Sequence, residues 1–305
     1  MIYIYRRAAS DGARTLAEAI GARRYRGIDF PIQRKVRAGD TVICWGERLD
    51  PIPNVRILNG VPFRNKLQDA QRLIEAGVAT IEVSLTRPMI ASTIIEPTPT
   101  DPAIALWEQV QTLANDFTQV RFNRNSQIII DGLDQMGHSI DLLSRALCLP
   151  APVPPPPRAP TPDLNWIGRL VNHIGGNDLL NPPARPDFWV KKENVVREYR
   201  VHSFKGRSIR AGMKTPRVGI EHPHEWIRSW DGGWRISYDG ASIRQRHRDI
   251  AHAAIEALGL DFGAVDIAER ADGSVFVLEV NRAPGLEGGT ITVYANAIRA
   301  WMEGV

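Results

Sequence analysis

A chain of 305 residues with 43% hydrophobic content has enough apolar surface for two compact domains or for one domain with lobes. Its net charge of +4 and sequence pI near 9.2 suit an anionic substrate such as a nucleotide or an acidic peptide. No dense Lys/Arg block alternates with aromatics, which argues against a nucleic-acid partner. The opening MIYIYRRAASDG lacks the apolar core of a signal peptide, and no apolar run approaches membrane-spanning length. With only Cys44 and Cys148, the expectation is a soluble cytoplasmic protein, off the membrane, with neither a disulfide framework nor a cysteine-rich zinc site.

In chain order, MIYIYRR predicts a strand, TLAEAIGARR a helix, and TVICWG and VRILNG two more strands. NKLQDAQRLIEAGV sets Leu67, Ala70, Leu73 and Ile74 at helical spacing, with Asn65 as N-cap and Gly77 as stop. This β-α-β alternation makes residues 1–88 a small α/β domain with a parallel sheet. Residues 89–163 change character. ALWEQVQTLANDF and SIDLLSRALCL have helical periodicity, and PAPVPPPPRAPTP favours extended polyproline, so the segment reads as an insertion or linker between lobes.

Residues 164–305 carry strands and one strong helix. NWIGRLVNHIGGNDLL predicts a strand running into a Gly175-Gly176 loop, and DFWVKKENVVREYRVHSFKGRSIRAGMKTPR three short strands around a Lys205-Gly206 turn. His222 and His224 flank a proline and read as a loop rather than a metal site. SIRQRHRDIAHAAIEALGL predicts a helix capped by Ser242 and Gly259, with Ile243, Ile250, Ala254 and Leu258 as its buried stripe. Antiparallel strands with such a helix indicate an α+β lobe.

DFGAVDIAERADGSVFVLEVNRAPGL raises the functional question, because two apolar strand-like runs hold Asp266, Glu279 and Asn281 in their middles. A two-residue turn at Asp272-Gly273 sets Asp266 directly opposite Glu279, with Asn281 one step along the same face. Like charges so placed repel unless a cation lies between them; Mg²⁺, which takes oxygen ligands, fits. The alternative is a pair of solvated acids on an exposed strand. A three-residue loop would slip the register and throw the acids onto opposite faces.

LGLDFGAVDIAERADGSVFVLEVNRAPGL is similar to the metal-binding segment of the ATP-grasp superfamily, and the resemblance extends through REYRVHSFKGRSI and, more loosely, NKLQDAQRLIEAGV. The nearest flavour is the RimK-like and phage-encoded ATP-grasp proteins. The resemblance implies a parallel α/β domain followed by two α+β lobes sandwiching ATP. Asp266, Glu279 and Asn281 would then hold Mg²⁺, or Mn²⁺ in its place, against the β- and γ-phosphates. Glu198 would receive the ribose hydroxyls, and Lys214, Lys66 and Arg169 would reach the phosphates. Gly175 and Gly176 would close over the triphosphate, and the adenine would lie along Lys192, Glu193 and Asn194. Without the family, Glu198 reads as a strand partner of Arg197 or Arg200, the two lysines as solvated side chains, and the glycine pair as a tight turn.

Two departures bear on the reaction. Ala264 stands where D-alanine ligases resembling this segment place an arginine, which argues against that activity. Arg282 follows the metal asparagine, where many relatives have a small hydroxyl residue; it is a candidate to orient an acyl phosphate or a carboxylate, or else a solvated strand-end arginine. The resemblance implies an ADP-forming carboxylate-amine ligase, with a carboxylate substrate and an amine acceptor that is a small molecule, peptide or protein terminus. The alternatives are phosphorylation of a hydroxyl and nucleotide binding without catalysis.

Overall fold

The computed structural model describes residues 1–6, 10–26, 32–61, 64–90, 120–122, 128–130, 161–170, 179, 183–225, 227–239 and 243–304. The Gly175-Gly176 loop, Ser242, the two helices expected in the insertion and its proline tract through residue 160 lie outside them. The chain forms two compact units, Met1–Pro88 with Asp163–Val305, and Met89–Pro162. Among the described residues, no helix is long and apolar enough to cross a membrane.

The first unit begins with β1 (Ile2–Arg6) and α1 (Asp11–Ile20). The Ser10 hydroxyl caps α1 by accepting the Ala13 amide at 3.2 Å. The helix stops at Gly21, whose φ of 68° is the left-handed conformation glycine adopts without strain. The expected single helix through TLAEAIGARR is therefore corrected, because Arg23–Arg26 forms strand β2. Its RRYR sequence has three exposed arginines and no apolar alternation to announce a strand. With β3 (Thr41–Cys44) and β4 (Arg56–Leu58) it completes a parallel sheet of order β2-β1-β3-β4.

Helix α2 (Lys66–Glu75) starts on a capping box, in which Asn65 and Gln68 exchange side-chain bonds with each other's backbone amides. Ala70 and Leu73 are buried, but Ile74 is 51% exposed; a step of 100° beyond Leu73 carries it off the narrow apolar stripe, contrary to expectation. Thr80 then bridges in parallel to Val277, and β5 (Val83–Ser84) follows. In the second unit, β6 (Met89–Ile90), β7 (Val120–Phe122), β8 (Ile128–Ile130) and β9 (Thr161–Pro162) form two antiparallel pairs, β6 with β9 and β7 with β8.

Back in the first unit, β10 (Trp166–Arg169) and β11 (Phe188–Lys191) join β5 in a three-stranded sheet. Of the three strands expected over DFWVKKENVVREYRVHSFKGRSIRAGMKTPR, β11 is the first, and the other two are longer than expected and form one hairpin, β12 (Val195–Phe204) and β13 (Arg207–Pro216). Its turn residues, Lys205 and Gly206, have φ of 44° and 76°, the positive pair that a tight hairpin turn requires. Strand β14 (Trp234–Ser237), helix α3 (Gln245–Ala257), strands β15 (Phe262–Arg270) and β16 (Val275–Asn281) and helix α4 (Gly289–Glu303) complete the chain. Arg244 stands at the N-cap of α3, and Gly259 takes the left-handed backbone just after the helix. Helix α4 is missing from the sequence reading.

The five-stranded antiparallel sheet β14-β13-β12-β15-β16 is the scaffold of the site. Alternation gives its faces opposite characters. Tyr199, Val201, Val265 and Ile267 pack under Ala251, Ala254 and Ile255 of α3 and Leu258 at its C-cap. The other face carries Glu198, Arg200 and His202, then turns apolar at Phe204 and Phe262, which join Trp45 and Tyr294 in a second core. Asn59 ties the parallel sheet to β15: its Oδ1 accepts the Asp261 and Phe262 amides at 2.7 and 3.1 Å, and its Nδ2 donates to the Phe262 carbonyl at 2.8 Å. Asn59→Ala is expected to lose about 3 kcal/mol of stability, since three buried partners are left unsatisfied. Urea unfolding checks this, and an unchanged midpoint would mean the tie is dispensable.

Candidate active site

The strand registers assemble the polar face into rows. Arg200 of β12 lies beside Gly212 of β13 on one side and Asp266 of β15 on the other, and Asp266 faces Glu279 of β16. This opposition arises by a route different from the expected one. The hairpin loop has three residues, closed by the Arg270 amide donating to the Ser274 carbonyl at 2.9 Å. By itself that loop would put the acids on opposite faces. A bulge breaks the register between Asp266 and Ile267, whose partners are Glu279 and Val277. The extra residue, Leu278, restores the facing pair.

Each acid on this face has a cation. Arg200 grips Asp266 with both arms, Nε to Oδ1 at 2.6 Å and Nη2 to Oδ2 at 2.7 Å. Lys214 Nζ donates to Glu198 at 2.7 Å and lies 3.9 Å from Asp266. From α2, Lys66 Nζ reaches across to donate to Glu279 Oε2 at 2.6 Å, and the Asn281 amide donates to Glu279 Oε1 at 3.1 Å. Three carboxylates and three cations thus alternate over a few ångströms. Burial works against the charge of Glu279, but Lys66, Asn281 and Lys214 outweigh it and hold the carboxyl at about 2. Burial likewise opposes the charge of Lys214, and Asp266 and Glu198 reverse the balance, raising its pKa.

This face opens on a cavity of about 1140 Å³, at the upper end of what small-molecule sites occupy and enough for a nucleotide with a second substrate. Lys66, Glu198, Lys214, Asp266 and Glu279 line it, and so do Arg169, Lys192, Glu193 and Asn194 at the far wall. At that wall the Lys192 amide donates to the Asn165 carbonyl at 2.6 Å, and Glu193 accepts from Arg270 at 3.1 Å. Asn281 and Arg282 are not among the lining residues. Arg282 instead donates to Asp69 of α2. Burial pushes the Asp69 carboxyl up to about 6 against the pull of Arg282 and Arg64.

Among the described residues, no group of three or more His, Cys, Asp or Glu is arranged to hold a metal ion. A metal here would thus use two carboxylates and the Asn281 amide oxygen, whose nitrogen is already spent on Glu279. That all-oxygen set suits Mg²⁺ and not zinc. The sequence reading missed Arg200 as the counter-ion of Asp266 and Asp69 as the partner of Arg282. The E-x-R-x-H alternation of Glu198, Arg200 and His202 is the one signal for the first, and it becomes readable once the register is known.

No family model matches the chain. Over 120 residues it is 36% identical to a probable alpha-L-glutamate ligase of Enterobacter sp. strain 638, covering 36% of this chain and 38% of that protein. Over 48 residues it is 54% identical to ribosomal protein bS6--L-glutamate ligases of Salmonella, including strain SL254 of Salmonella newport, covering 16% of each chain. The chain thus matches well under half the length of these curated relatives. Among solved structures, it is 13% identical to the ATP-grasp ligase PsnB complexed with a minimal precursor, over 98% of both chains with a TM-score of 0.49. It is 14% identical to the macrocyclase MdnB of Microcystis aeruginosa MRC, over 99% of both chains with a TM-score of 0.42.

This mixed α/β chain, whose antiparallel sheet opposes two carboxylates over a cation-rich cavity, is similar in sequence to glutamate ligases over part of its length.

Proposed function

We propose that the chain is an ADP-forming carboxylate-amine ligase working through an acyl phosphate. The observation that carries this reading is the facing Asp266–Glu279 pair with Arg200, Lys214 and Lys66 as its counter-ions. Magnesium, or manganese in its place, supplies charge neutralisation on the phosphates when bound at Asp266, Glu279 and Asn281. Lys214, Lys66 and Arg169 bind the phosphates, Glu198 takes the ribose hydroxyls, and Lys192, Glu193 and Asn194 form the base-binding wall. The internal ion pairs explain how such a site accepts a nucleotide: each cation exchanges its carboxylate for a phosphate oxygen, so charged groups are never left bare. Arg282 is placed to order α2 through Asp69 and so to hold Lys66 over Glu279.

In the first half-reaction a substrate carboxylate oxygen attacks the γ-phosphorus, and the bond to the β-phosphate oxygen breaks to release ADP. In the second, an amine nitrogen attacks the acyl carbon and inorganic phosphate leaves, the nitrogen's proton passing to that phosphate. No protein nucleophile is needed, and the protein's part is positioning and charge. The names of the curated relatives, which pair L-glutamate with a ribosomal protein, support an amino acid and a peptide or protein as the two substrates.

The test is incubation with Mg-ATP, pooled amino acids, short peptides and hydroxylamine, scoring ADP and hydroxamate together. Both products are expected. ADP with a phosphorylated product and no hydroxamate would replace the ligase reading with hydroxyl phosphorylation, and tight Mg-ATP binding with no turnover would replace it with nucleotide binding alone.

A further inference from the structure

Beyond the facing acids, the same sheet face holds a buried chain of polar groups ending in the cavity wall. Tyr238, just after β14, lines the cavity. Three contacts fix it. Its ring lies over Gly212, where a Cβ would come within 2.9 Å of Tyr238 Cδ1. The Arg210 guanidinium sits 3.9 Å from the ring centroid. The hydroxyl lies 2.9 Å from Nε2 of His202, whose Nδ1 is 3.2 Å from the Tyr294 hydroxyl.

The direction of this chain follows from proton counting. The Tyr294 hydroxyl donates to the Gly263 carbonyl at 3.3 Å. A carbonyl only accepts, and a hydroxyl has one proton, so Tyr294 must accept from His202 Nδ1–H. Burial holds the His202 pKa down at about 3, so the ring carries a single proton, and Nε2 is an acceptor. Tyr238 therefore gives its proton to His202. Toward the cavity it presents lone pairs alone, beside Gly212 in the row of Arg200 and Asp266, one residue past the Met213–Ser237 pair. Such a group attracts N–H and repels carboxylate or acyl-phosphate oxygens.

We infer that Tyr238 positions the amine nucleophile, accepting one of its N–H bonds so that the nitrogen lone pair is aimed at the acyl carbon; this rests on the ligase reading above. Tyr238 moves no proton itself, because its own is committed to His202. Its effect belongs to the second half-reaction and leaves carboxylate activation alone.

The full chain is assayed with two probes. Hydroxylamine is the amine, titrated against the peptide pool that yields hydroxamate. With no amine, migration of ¹⁸O between the β–γ bridge and the β-nonbridging positions of labelled ATP reports reversible acyl-phosphate formation. Tyr238→Phe is expected to raise the hydroxylamine KM about tenfold, the worth of one hydrogen bond, while isotope migration continues. His202→Leu removes the Nε2 acceptor, so the Tyr238 proton is free to turn toward the cavity and Tyr238 becomes a donor there. It is expected to raise the same KM by a similar factor, and adding Tyr238→Phe to it should change nothing further. A wild-type KM in either single variant overturns the inference, as does loss of isotope migration in step with the KM. Absence of migration in the wild-type chain would sink the ligase reading and take the inference with it.

Discussion

Asp266→Asn is expected to lower the thermal midpoint by about 10 °C and to abolish turnover. The Asp266 side chain is 5% exposed and that of Arg200 21%, so removing one charge strands a largely buried guanidinium, with the Lys214 ammonium also nearby at 3.9 Å. Breaking such a pair costs about 3–5 kcal/mol, and in a unit of this size each kcal/mol is worth about 2–4 °C. The double variant Asp266→Leu with Arg200→Met separates the two effects. Apolar groups of similar size need no counter-ion, so stability should largely return while activity stays absent. Differential scanning calorimetry and ADP release measure the two quantities. Full stability in Asp266→Asn would show that Arg200 finds another partner, and appreciable turnover would remove Asp266 from the proposed metal site.

The facing acids show how far a sequence can be read. Alternation put Glu279 and Asn281 on one face, and the structure pairs Asp266 with Glu279. The expected reason was a two-residue turn. In fact a three-residue turn and a bulge at Leu278 offset each other. Nothing local in VFVLEVN announces a bulge, because it is set by what β16 must meet on β15 and at Thr80. Arg200 stayed hidden for the same reason, as cross-strand partners are fixed by register and not by spacing. Strand β2 lacks any apolar pattern. Helix α4 fails in the opposite way. Its first turns include Thr290, Ile291, Thr292 and Val293, residues that favour strands, and packing of Tyr294, Ala295 and Ile298 into the core with α1 overrides them. Helix α2 was legible because the Asn65–Gln68 capping box is local.

Glu279→Gln is expected to behave differently from Asp266→Asn, with turnover reduced at least about a hundredfold and stability changed by less than about 1 kcal/mol. The difference lies in exposure. The Glu279 side chain is 29% exposed and its partner Lys66 31%, so when the charge goes, the lysine ammonium turns to water instead of being stranded. The glutamine Oε1 still accepts from Asn281, and the strand pairing with Asp266 is a backbone matter. What is lost is a full negative charge, because a carboxyl held at about 2 is ionised throughout the working range. In the proposed site that charge is half of the carboxylate pair, so the Mg²⁺ concentration for half-maximal activity should also rise about tenfold or more. Urea unfolding and a Mg²⁺ titration of ADP release make the comparison. Wild-type activity at limiting Mg²⁺ would take Glu279 out of the metal site, and a stability loss as large as that of Asp266→Asn would show that Lys66 is held as rigidly as Arg200.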